Sequence, residues 1–222
     1  MTHQPTTGPT TVHLVRHGEV DNPGGVLYGR LPNYHLSERG RAMAEVVADH
    51  LAGRDIALVT SSPMERAQET AAPIAERHGL PVGLDDDLIE AGNHFQGLRF
   101  GVGDGSLRHP RHWPRLVNPF RPSWGEPYAE VVTRMMRAVM AATAAARSAG
   151  PGREAVLVSH QLPVWETRLH LEGRRLWHDP RRRECSLCSV TSLTYDGDRL
   201  LSLSYAEPAA ALLPGAGTVA GA

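Results

Sequence analysis

The chain contains no lysine, and all 23 of its basic residues are arginine. That absence excludes a P-loop lysine, a Schiff-base lysine, an SxxK serine enzyme and a working protein-kinase fold. Cysteine is nearly absent too. Cys185 and Cys188 cannot make a disulfide framework, and a single CxxC lacks the further ligands a zinc site needs. They read as ordinary half-buried thiols, with redox or metal roles as the alternatives. Net charge is close to nil, −1 from 23 basic and 24 acidic residues, which gives no electrostatic case for a nucleic-acid or membrane-surface partner. No apolar run approaches the roughly 18 residues of a membrane span. The first ten residues have neither the basic start nor the apolar stretch of a signal peptide. The expectation is a soluble, cytoplasmic protein.

What is present reads as strands alternating with helices. Val12–Val15, Ile56–Thr60 and Ala155–Ser159 are short apolar runs of the kind buried in parallel sheets. Ser37 opens a helix that Gly53 ends. Ser62-Pro63-Met64-Glu65 spells a capping box, with a helix running to His78 and stopping at Gly79. A long helix starts from Glu126 and ends near Gly150, and a shorter one spans Leu162 to Leu171. Asp196-Gly197 between two apolar stretches predicts a hairpin. The fold class that follows is α/β: a single three-layer domain, mostly parallel sheet, with helices on both faces. Residues 1–10 and 207–222 read as flexible tails around a domain over 11–206.

Residues 91–125 break the pattern. The segment has no clear periodicity and holds five arginines (Arg99, Arg108, Arg111, Arg115, Arg121) against one acid, Asp104. It reads either as a solvated surface loop or as a basic lid over an anionic ligand.

Four places set reactive side chains at strand ends or helix starts, where open α/β sheets bind ligands. They are Arg16-His17-Gly18-Glu19, Arg66, Glu90 and His160. At these residues the sequence resembles the histidine phosphatase, or phosphoglycerate-mutase-like, superfamily. The matching segments are Leu14-Val-Arg-His-Gly-Glu19, Thr60-Ser-Ser-Pro-Met-Glu-Arg-Ala-Gln-Glu-Thr70 and Val158-Ser-His160. Leu36-Ser-Glu-Arg-Gly40 and Gly125-Glu126 leading to Arg134 support them.

The resemblance implies a nucleophile, His17, that carries the phosphoryl group. It implies a phosphate pocket completed by Arg16, Arg66 and His160, and a proton donor, Glu90. It also places Asn22, Tyr28, Gly29 and Gln161 at substrate-binding positions, with residues 91–125 as an insertion over the active site. The chemistry suits those residue types. Arginine stays charged and offers forked donors to phosphate oxygens. A nucleophilic imidazole must be neutral, which neighbouring guanidiniums favour. His160 is expected to carry a proton at bound phosphate, and Glu90 must be held as an acid to protonate a leaving alkoxide.

No metal and no cofactor are implied, and the partner is a small phosphorylated substrate. The oligomeric state is left open, a homodimer included. Glu19 reads as a pocket brace, Asp85-Asp86-Asp87 as a solvated turn and Arg181-Arg182-Arg183 as an exposed turn. The run Glu90-Ala-Gly-Asn-His94 differs from the E-R-H-Y-G run of cofactor-dependent mutases, and their lysine is missing. A phosphatase is therefore favoured over a mutase, with a catalytically weak phosphate-binding domain as a third reading.

Overall fold

The computed structural model describes residues 8–99, 110, 113 and 124–216. Its elements in chain order are β1 (Thr10–Arg16), α1 (Glu38–Leu51), β2 (Ile56–Ser61), α2 (Glu65–His78) and β3 (Val82–Leu84). After them come α3 (Tyr128–Ala149), β4 (Glu154–Ser159), α4 (Gln161–Leu171), β5 (Val190–Asp196) and β6 (Arg199–Ala206). The six strands form one sheet in the order β3-β2-β4-β1-β5-β6. The four strands on one side pair in parallel, and the β5–β6 hairpin adds to β1 antiparallel. β3, a three-residue edge strand, was too short to show a pattern in the sequence.

Alternation along the central strands divides the core between two faces. Val12 and Leu14 of β1 and Ala155 and Leu157 of β4 pack under α3 and α4, against Val131, Met135 and Trp165. Val15, Val156 and Val158 face the other way, against Met43 and Val47 of α1 and Ala67 and Ile74 of α2. The expected three-layer domain is formed. β1, β2 and β4 thereby end side by side, which brings Arg16, Ser61 and Ser159 to one edge.

Two glycines decide how tightly the first loop packs on α1. A Cβ on Gly18 would come within 2.6 Å of the Gly40 carbonyl, and one on Gly40 would overlap the carbonyl of Glu19. Ser37 caps α1 by accepting from the Gly40 amide at 2.9 Å, and its hydroxyl donates to Glu19 Oε2 at 2.5 Å. Glu19 therefore fastens the loop that follows His17 to the helix cap.

Three expectations are corrected. α2 begins at Glu65 with Met64 at the N-cap and no side-chain cap bond; the Ser62 hydroxyl accepts from the Met64 amide at 3.4 Å and also serves the pocket, as described below. Thr10 already belongs to β1 and is buried. Residues 207–216 do not behave as a tail: Ala209 is buried, and Leu212, Leu213 and Ala216 pack on the second core face. Four of the five lid arginines, Arg108, Arg111, Arg115 and Arg121, lie outside the described residues, whereas Arg99 donates to the Gly24 carbonyl at 2.8 Å.

Candidate active site

His17 follows β1 directly. Its backbone amide donates to the Ser159 carbonyl at 3.0 Å, and its carbonyl accepts from the Cys188 amide at 3.4 Å, so the residue is pinned to β4 and to the loop before β5. The ring is fully buried, with Nδ1 2.7 Å from the carbonyl oxygen of Gly18. A carbonyl only accepts, so Nδ1 carries the hydrogen and Nε2 keeps a lone pair. Nε2 is buried and has no hydrogen-bond partner among the described residues. Burial, then Arg66, then Arg16 hold the pKa well below the usual histidine value, so the ring is neutral.

The cations beside it are arranged in the same way. Fully buried Arg66 donates through Nη2 to the Gly29 carbonyl at 2.6 Å and reaches His160 Nδ1 at 3.3 Å. Its guanidinium carbon lies 4.7 Å above the Tyr28 ring. Arg16 Nη1 donates to the Cys185 carbonyl at 2.6 Å. That leaves Arg16 Nε, Arg66 Nε and Arg66 Nη1 buried and without a bond to the described residues. Each such orphan costs about 1–3 kcal/mol unless a ligand satisfies it.

An arginine only donates, so Nδ1 of His160 is an acceptor and its Nε2–H donates to Ser62 Oγ at 2.8 Å. Burial and then Arg66 keep its pKa well below the usual value. In the free pocket His160 is a neutral ring, 5.1 Å from His17 between centroids.

Glu90 is buried. Oε1 accepts from the Ala91 amide at 2.7 Å, and Oε2 has no partner among the described residues. Burial raises its pKa above the ordinary carboxylate value, against the opposing pull of the Ala91 amide and of Arg66, Arg183 and Arg134. The segment around it is clamped. Arg30 Nε donates to the Glu90 carbonyl at 2.6 Å, and Arg30 Nη2 pairs with Glu126 Oε2 at 2.7 Å. Glu126 also pairs with Arg134 at 2.8 Å, whose Nη1 donates to the Asp87 carbonyl at 2.6 Å. Gln96 joins in: its Oε1 accepts from the Arg30 amide at 2.7 Å.

Among the expected substrate-binding positions, Tyr28 lies in this cluster, its ring 6.5 Å from His17. Gly29 has a φ of +45°, gives its carbonyl to Arg66, and leaves no room for a Cβ, which would sit 2.6 Å from Gln96 Oε1. Asn22 instead closes a turn, donating to the Val26 carbonyl at 2.9 Å and accepting from the Val26 amide at 3.2 Å. Gln161 opens α4 and bridges the Cys185 carbonyl and Arg183.

Asp87 is not free in its turn; it pairs with Arg137 at 2.7 Å. Cys185 and Cys188 are free and fully buried, and burial pushes the Cys188 thiol up to about 12. They serve through backbone groups, which hold Arg16 and His17. Sequence reasoning missed Ser62, read there as a helix cap, and Arg183, read there as exposed.

A neutral buried histidine with a free nitrogen, unbonded guanidinium donors beside it and a carboxyl biased towards its acid form are suited to phosphoryl transfer. The chain belongs to the histidine phosphatase superfamily (branch 1), whose sequence profile matches residues 12–207. It is 62% identical over 201 residues to Rv0525 of Mycobacterium tuberculosis, covering 90% of this chain and 98% of that protein. It is 34% identical over 153 residues to the glucosyl-3-phosphoglycerate phosphatase of Mycobacterium tuberculosis, covering 66% and 68%. The native structure of mycobacterial glucosyl-3-phosphoglycerate phosphatase superposes with a TM-score of 0.70 at 27% identity, covering 89% of this chain and 97% of that one. The protein is thus a phosphatase or mutase of this superfamily. No helix among the described residues is long and apolar enough to cross a membrane.

Proposed function

We propose that the protein is a phosphomonoesterase that hydrolyses a small anionic phosphate ester through a phosphohistidine on His17. The observation that carries this reading is the neutral, buried, unbonded Nε2 of His17 beside unbonded nitrogens of Arg16 and Arg66. The phosphoryl oxygens take the hydrogen-bond donors left open on the two guanidiniums, and the His17 lone pair attacks phosphorus. As the N–P bond forms, the P–O bond to the alcohol breaks, and the Glu90 carboxyl gives its proton to the departing oxygen. Water then attacks the phosphohistidine while the Glu90 carboxylate takes one of its protons, which releases phosphate and restores both groups. Bound dianion favours a proton on His160, which is neutral in the free pocket.

The test is release of inorganic phosphate, in EDTA, from a panel of phosphomonoesters that includes 3-phosphoglycerate with and without 2,3-bisphosphoglycerate. Phosphate release in EDTA is the expected result. Isomerisation of 3-phosphoglycerate without release would replace the reading with a mutase, and silence on every ester would leave a phosphate-binding domain.

A further inference from the structure

Arg183 adds a cation to the Glu90 side of the pocket, and its guanidinium is fixed at two nitrogens. Nε donates to His178 Nε2 at 2.8 Å, and Nη1 donates to Gln161 Oε1 at 3.3 Å. His178 accepts there because its Nδ1 hydrogen goes to the Leu176 carbonyl at 2.8 Å, with Glu166 Oε1 3.2 Å from the same nitrogen. Two held nitrogens fix the plane of the fork. Nη2 bonds to none of the described residues.

The position of this fork follows from its neighbours. Gln161 comes directly after His160, and its Nε2 shares the Cys185 carbonyl with Arg16 Nη1, at 3.5 and 2.6 Å. On the other side the Tyr128 ring lies 5.7 Å from His178. Tyr128 opens α3 two residues after Glu126, whose amide donates at 2.9 Å to the carbonyl of Gly92, two residues beyond Glu90. Arg183 is therefore enclosed between the Arg16 and Glu90 walls. Burial works against its charge, and Glu90 is the foremost of the anions that support it.

Glu166 of α4 is fully buried, and its Oε1 is placed against His178 rather than in the pocket, 3.2 Å from His178 Nδ1.

We propose that Arg183 is a specificity-determining residue that binds a carboxylate borne by the leaving alcohol of the substrate. The proposal rests on the phosphatase reading, since Glu90 marks the side from which the alcohol departs. A planar carboxylate matches the donors that His178 and Gln161 leave open on the fork, whereas a neutral hydroxymethyl group leaves the cation unpaired.

The experiment compares two ligands that differ only at that group, 3-phosphoglycerate and glycerol 3-phosphate, by calorimetric binding to the His17→Ala protein, which cannot turn either over. The carboxylate ligand is expected to bind about tenfold tighter or more. Arg183→Gln should remove that preference while leaving glycerol 3-phosphate within about twofold. Arg183→Lys, which keeps the charge without the fork, should retain only part of it, and it serves as the test variant if Arg183→Gln does not fold. Equal binding of the two ligands, or a preference that survives both substitutions, overturns the proposal. Binding is read without turnover, so a preference in a protein that releases no phosphate would sink the phosphatase reading and leave the Arg183 subsite standing.

Discussion

The Gly18 carbonyl oxygen lies 2.7 Å from His17 Nδ1, and that contact determines which nitrogen of the ring can react. It commits the hydrogen to Nδ1, points the lone pair of Nε2 away from the main chain, and needs no side-chain carboxylate to orient the ring. Arg16 and Arg66 reinforce the result, because two nearby guanidiniums disfavour a second proton on the imidazole.

Glu90 acts on the leaving group, so its removal should discriminate among esters. Glu90→Gln is expected to slow hydrolysis of alkyl phosphates by about 10²–10⁴-fold, the usual contribution of a general acid. It should slow p-nitrophenyl phosphate by about tenfold or less, since p-nitrophenolate departs without a proton. Steady-state kcat on the two esters checks this, and equal slowing of both would remove Glu90 from the role.

The buried histidines make stability depend on pH. His17 and His160 both have pKa values lowered in the folded state, with burial the first cause. The unfolded chain, with ordinary histidines near pKa 6.5, therefore binds more protons as pH falls. The stability is fully present above about pH 6.5 and is lost as pH falls below it, at up to about 1.4 kcal/mol per pH unit for each ring. Urea unfolding at pH 7.5 and pH 5 should show a smaller acid loss for His17→Ala than for the parent protein. An identical loss in both would show that the His17 ring is not held neutral.

Gly40→Ala should destabilise without touching the chemistry. The added methyl would overlap the Glu19 carbonyl, a main-chain atom fixed by the Ser37 amide at 2.9 Å. The cost expected for such overpacking is about 2 kcal/mol or more. Thermal or urea unfolding measures it, and an unchanged midpoint would mean that the loop and α1 are not packed as described.

The sheet and its helices were legible because β1, β2 and β4 are continuous apolar runs and α1 and α3 carry helical periodicity. β3 was not, because three residues show no period. The same limit hid the packing of Leu212 and Leu213, which a run rich in alanine, glycine and proline does not advertise. His17, Arg16, Arg66, Glu90 and His160 were legible as a set through their places after strands and through the family's motifs. Ser62 was misread because a serine before proline fits a helix cap as well as a pocket, and only the neighbouring strand end puts His160 within its reach. Arg183 was misread because three consecutive arginines look like a solvated turn. Its guanidinium is held by His178 and Gln161, which no periodic pattern in the sequence links to it.

The central claim is that His17 Nε2 takes the phosphoryl group, and trapping that adduct tests it most directly. Mixing the protein with phosphorus-labelled p-nitrophenyl phosphate for milliseconds, then quenching in alkaline denaturant, preserves a phosphohistidine for peptide mapping. The prediction is label on the peptide carrying His17, formed no more slowly than turnover and absent from His17→Ala. Label on a different residue, or rapid phosphate release by the His17→Ala protein, would contradict it.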